Sequence, residues 1–245
     1  MNERFRQILV IIATFGVIFV NFLAAFGYVN NKTTGELSDK YFTQITPAGY
    51  AFSIWSLIYL GLIVFSIYQA LPANEDNRFF KRIRTIYIIN CVANCAWIYA
   101  WHYEFIPLSL LIMFILLGTL AFINVVLIRA DSTAEIITTK VPFNIYFGWI
   151  TVATILNFAI TLVYFGIRFP ENITSIVGAI LILIATALGC FLRFKISSAF
   201  YPLTIAWGIT AIAVKQSGDT IVVVASAIGV ILLLISALAG FIKNE

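Results

Sequence analysis

A chain of 245 residues that is 62% hydrophobic and only 11% charged, with a mean hydropathy of +1.00, has too few polar side chains to cover a soluble fold, whose surface needs roughly 25–35% charged residues. The formal net charge of +4 is not gathered into a basic run interleaved with aromatics, which excludes a nucleic-acid-binding module. The composition predicts an all-α, polytopic membrane helix bundle with lipid as its solvent, since a helix satisfies its own backbone in hydrocarbon.

Eight apolar runs are long enough to span a bilayer. The first, Ile8–Tyr28, follows Arg4 and Arg6 and exceeds the apolar core of a signal peptide, so it reads as an uncleaved first helix. The second is Tyr50–Leu71, and a turn signal, Pro72 to Asp76, separates it from the third, Ile83–Trp101. Only His102 to Phe105 separate the third from the fourth, Ile106–Ile128, which predicts an antiparallel helical hairpin. The fifth and sixth, Pro142–Ile167 and Ile173–Leu192, flank Arg168 to Glu171, and Ser198–Val214 and Thr220–Ile242 complete the set. Tyr28, Tyr41, Phe42, Tyr99, Trp101 and Tyr103 fall near run ends, as an interfacial belt would.

Lysine and arginine orient the bundle. With the N-terminus in the cytoplasm, eleven of the fifteen basic residues lie in inside segments, among them Arg78, Lys81, Arg82, Arg84, Arg193, Lys195 and Lys243. Lys32, Lys40, Arg168 and Lys215 lie outside. The bias predicts both termini in the cytoplasm of a multi-pass protein of the cell membrane.

The candidate chemistry is narrow. No Asp, Glu or His lies deep within any run, and no Ser/His/Asp set, phosphate loop or metal-ligand spacing is present. The chain therefore reads as a non-enzyme without a metal, and Cys91, Cys95 and Cys190 read as packing residues. Polar and aromatic residues do align in stripes: Asn90, Asn94, Trp97 and Trp101 on one helix face, Trp149, Ala153, Thr154 and Asn157 on another, and Trp55 one turn from Tyr59. An Asn in hydrocarbon needs a hydrogen-bond partner, so such stripes are either interhelical ties or the wall of a pocket. The small-residue pairs Ala225/Gly229 and Ser236/Gly240 permit close helix approach, within the chain or in a homo-oligomer.

Three blocks in this order resemble the tryptophan-rich sensory protein family (TspO/MBR), which includes the mitochondrial translocator protein. Pro47, Trp55 and Tyr59 resemble its Pro-Pro-x-Trp stretch, and Asn94-Cys95-Ala96-Trp97 resembles its Asn-x-x-Trp. Pro142 followed by Trp149, Ala153, Thr154 and Asn157 resembles the block of its fifth helix. Thr46 and Tyr99 stand where the family has proline, and Pro142 lies about one turn further from its Trp. The resemblance covers Ile8–Ile167 and divides the chain into a five-helix part, 1–170, and three added helices, 171–245. Leu162, Tyr164 and Arg168 also fit a loose cholesterol-associated pattern.

The resemblance implies binding of a planar hydrophobic small molecule, porphyrin-like or sterol-like, for transport or sensing. Its contacts would be Trp55, Tyr59, Asn94, Trp97, Trp149 and Asn157, with Ala153 leaving room, beneath a first loop formed by Val29 to Gly49. The alternatives are a transporter whose path uses the last three helices, and a tetrapyrrole- or isoprenoid-modifying enzyme.

Overall fold

The computed structural model describes residues 2–242; Lys243, assigned to the inside, lies outside the described residues. In chain order the helices are α1 (Glu3–Ala25), α2 (Thr34–Lys40), α3 (Ile54–Ala70), α4 (Arg78–His102), α5 (Ile106–Val126), α6 (Thr133–Glu135), α7 (Val141–Tyr164), α8 (Glu171–Ile196), α9 (Phe200–Lys215) and α10 (Thr220–Ile242). Among the described residues no strand occurs. Each of the eight apolar runs is a helix. Six helical stretches are long and apolar enough to cross a membrane. The others are α4, which opens on Arg78, Lys81, Arg82 and Arg84, and α9, with 16 residues.

Lipid-facing packing is visible in what is left exposed. Phe15, Phe19, Leu57, Ile67, Leu111, Ile231 and Leu238 are all more than half exposed, whereas Asn21, Asn90, Asn94, Asn124 and Asn157 are buried. Polar groups inside and large apolar groups outside invert the soluble pattern and suit hydrocarbon. The chain is an integral membrane protein.

Contacts divide the chain into two compact units. The first runs from the N-terminal helix to Thr34 and resumes over Trp55–Phe147; the second comprises Gly35–Ile54 and everything from Gly148 onward. This division by packing is of a different kind from the division by resemblance at residue 170, and the units interleave in sequence.

In the first unit α4 packs on α1 and α5. Its core holds Phe65, Tyr87 and Phe143 in edge-on contacts with centroids 4.9–5.6 Å apart, the arrangement aromatic quadrupoles favour. Gly61 permits the approach of α3 to α7, since a Cβ there would stand 2.8 Å from that of Pro142. At one end of the unit the wholly buried Arg84 is a hub. Its guanidinium donates to Glu3 Oε2, Gln69 Oε1 and the carbonyls of Gln69, Asn74 and Glu75. Gln7 and Gln69 exchange amide-to-carbonyl bonds beside it.

In the second unit α8, α9 and α10 pack on one another. A Cβ on Gly229 would meet Thr186 Oγ1 at 2.5 Å, and Arg193 Nε donates to the carbonyl of Ser236 at 3.0 Å. The small-residue face of α10 is thus used against α8 within the chain. On α9, Gln216 donates to the carbonyls of Thr43 and Thr46, the Ala48 amide donates to Ala211, and Trp207 Nε1 donates to Ala51. These bonds strap residues 43–51 along α9.

Candidate functional site

Four of the seven residues singled out in the sequence fall in the first unit. Trp55 and Tyr59, one turn apart on α3, are stacked with ring centroids 5.4 Å apart and planes at 17°. Trp55 also meets Tyr146 edge-on at 5.8 Å. From α4, Asn94 Nδ2 donates to the Tyr146 hydroxyl at 2.9 Å, and Asn94 Oδ1 accepts from Asn21 Nδ2 at 2.7 Å. Asn94 therefore joins α1, α4 and α7, and Tyr146 connects it to the Trp55–Tyr59 pair. Tyr146 stands out in the sequence only by its place one turn before Trp149.

The Asn/Trp stripe of α4 separates into two roles. Asn90 Nδ2 donates to Thr119 Oγ1 at 2.8 Å, which ties α4 to α5. Trp101 is buried within the protein, and its Nε1 donates to the Thr34 carbonyl at 3.3 Å. Both residues are helix ties. Trp97 differs. Its ring stacks on Trp101 with centroids 5.4 Å apart, but its buried Nε1 has no hydrogen-bond partner among the described residues. A buried donor left unpaired costs about 1–3 kcal/mol, and native structures keep few of them.

The remaining three residues, Trp149, Ala153 and Asn157, lie on the stretch of α7 that belongs to the second unit. There Trp149 meets Phe52 edge-on at 6.0 Å, and the Asn157 carbonyl accepts from Thr161 Oγ1. Trp149 and Asn157 are buried and Ala153 is half-buried. The structure thus groups Trp55, Tyr59, Asn94 and Trp97 in one unit and Trp149, Ala153 and Asn157 in the other. Among the described residues, no three His, Cys, Asp or Glu side chains are grouped to hold a metal.

The segment that the resemblance sets over a ligand pocket has a definite place of its own. Its residues 43–51 hydrogen-bond to α9, and Lys215 pairs with Asp39 at 3.1 Å. These partners are long-range, and nothing in local periodicity announces them.

Residues 7–239 match the family model described as TSPO-like protein. The match continues past Ile167 through α8 and α9 and into α10. Compared with curated proteins and with solved structures, the chain matches none.

Proposed function

The chain belongs to the TSPO-like protein family, and on that footing we propose that it is a membrane-embedded binding protein, not an enzyme, for a planar hydrophobic small molecule such as a porphyrin. The reading keeps both termini in the cytoplasm and the bundle in the cell membrane. The contacts are Trp55 and Tyr59 for stacking and the Asn94–Tyr146 pair for orientation. One observation carries the proposal: the unpartnered Nε1 of Trp97, three residues from Asn94 on the same helix. A flat ligand with a hydrogen-bond acceptor on its edge satisfies that donor, while its faces meet the aromatic rings. Binding of this kind is the first step of either transport or sensing.

Titration of the purified protein with a soluble porphyrin, read both by Trp quenching and by the shift of the porphyrin's own absorption band, tests this. Trp97→Phe keeps the ring and removes the donor, so affinity is expected to fall about tenfold, the worth of one hydrogen bond of roughly 1–1.5 kcal/mol. Absent binding, or equal affinity in folded Trp97→Phe and Trp55→Ala variants, overturns the proposal.

A further inference from the structure

The second unit contains an open-sided cavity of about 470 Å³, within the roughly 300–1,000 Å³ range of small-molecule sites. It is walled by the end of α7, the first turns of α8 and the 40–45 segment. Ala159 and Val163 on α7 and Val177 and Leu181 on α8 make it apolar along its length. At 1.5 Å per residue, Thr174 to Leu181 spans about 10 Å of helix.

The polar groups of this cavity are unequally distributed. Its lining includes two cations, Lys40 and Arg168, and among the described residues no carboxylate. Arg168 follows the end of α7 at Tyr164, beyond the apolar walls, and is exposed. Among the described residues no carboxylate lies within ion-pair distance of it. Arg168 and Lys40 are also two of only four basic residues that the charge bias assigns to the outer side. The cavity has a structural support as well: a Cβ on Gly178 would stand 2.9 Å from Gln44 Cβ, so glycine at this point lets the 40–45 segment close against α8.

An apolar trough with cations beside one end matches an apolar chain with an anionic head. Guanidinium is suited to this, since its planar fork pairs bidentately with a carboxylate. We propose that this cavity binds the single chain of a long-chain carboxylic acid, with its carboxylate held by Arg168 and Lys40. The site differs from the porphyrin site in its residues and in ligand shape.

Native mass spectrometry of the full chain in a neutral detergent, with oleate as the probe and monoolein as its uncharged counterpart, tests the proposal. Oleate is expected to bind at least tenfold more tightly than monoolein, and Lys40→Gln/Arg168→Gln is expected to remove that preference. Val163→Phe, at a half-exposed wall position, leaves both cations and fills the trough; it is expected to lose oleate while its melting temperature stays near wild type. Equal binding of monoolein, oleate binding unchanged in the charge variant, or full oleate binding in folded Val163→Phe overturns the proposal. Cholesterol or a two-chain phosphatidylglycerol displacing oleate at equal concentration overturns it as well, by assigning the cavity to a different lipid.

Discussion

Glu3 Oε2 and Arg84 Nη1 stand 2.6 Å apart, with Arg84 wholly buried and Glu3 19% exposed. The pair joins the first residue of α1 to the second turn of α4, and the same guanidinium closes the turn at Asn74 and Glu75. Arg84→Ala removes the donor from Glu3 Oε2, Gln69 Oε1 and the carbonyls of Asn74 and Glu75, while Glu3 keeps Arg6 and the Gln69 carbonyl keeps Gln7. Breaking a buried pair by removing one partner costs about 3–5 kcal/mol. The expected result is a strongly lowered midpoint of thermal unfolding in detergent. Arg84→Lys, which keeps charge but loses the five-donor fork, is expected to fall between.

His102 is the sole histidine and lies just past the predicted span Ile83–Trp101. It is buried, with Nδ1 donating to the Ile98 carbonyl at 2.8 Å and Nε2 without a partner among the described residues. Burial lowers its pKa below the usual 6.5, against a smaller raising effect of the Ile98 bond. The folded state therefore prefers the neutral ring. Its stability contribution is fully present above the unfolded value of about 6.5 and is lost as pH falls through the lower folded value. Thermal unfolding between pH 7.5 and 5 is expected to show a steeper fall for wild type than for His102→Gln. Parallel profiles would assign the acid sensitivity to carboxylates instead.

Glycines of α1 and α3 make opposite predictions. A methyl on Gly61 meets Pro142 at 2.8–3.4 Å through its Cβ, Cγ and Cα, and the ring has little freedom to yield. Gly61→Ala is expected to destabilise by about 1–3 kcal/mol, the usual range for overpacking. Gly16 has nothing within 4 Å. There the same change adds helix propensity of about 0.5–1 kcal/mol and is expected to leave the midpoint unchanged or raised. A matched pair of melting curves checks both.

Helix existence was legible because spans require long apolar runs, and all eight runs fold as helices. Boundaries were less so, for local reasons. α4 begins at Arg78, five residues before its apolar run, because Asn77 caps it by accepting from the amides of Phe79 and Phe80. The charge bias places Arg84 among the inside cations, but its burial depends on Glu3, Gln69 and Asn74, which no periodicity connects. α1 ends at Ala25, three residues early, where Gly27 at φ +74° and the left-handed Asn30 and Asn31 reverse the chain. The seven-residue α2 is too polar and short for an apolar scan. At the candidate site, spacing offered Trp55, Tyr59, Asn94 and Trp97 as candidates, and the structure sets them in one unit. It did not identify Tyr146, since a tyrosine hydroxyl two spans away is a partner only in three dimensions.

Gln216 donates to the carbonyls of Thr43 and Thr46 at 3.1 and 3.2 Å, and its side chain is buried. Thr46 is in turn held by Thr43, whose carbonyl accepts from the Thr46 amide. Gln216→Ala removes both side-chain bonds and leaves the Thr46 carbonyl without this donor, while the Thr43 carbonyl keeps the Thr46 amide, a local cost of about 1–3 kcal/mol. Opening of residues 43–48 then becomes about 5- to 150-fold more frequent, while α9 itself keeps its backbone bonds. Hydrogen exchange of a peptide covering Thr43–Ala48 is expected to speed up accordingly, with peptides of α8 and α10 unchanged. Trp207→Phe is the control, since it removes only the bond to the Ala51 carbonyl and keeps an aromatic ring beside Tyr50. Its effect is expected near residues 50–52. If Gln216→Ala leaves exchange at 43–48 unaltered, the segment is held by its apolar contacts, chiefly the buried Ile45, rather than by these bonds.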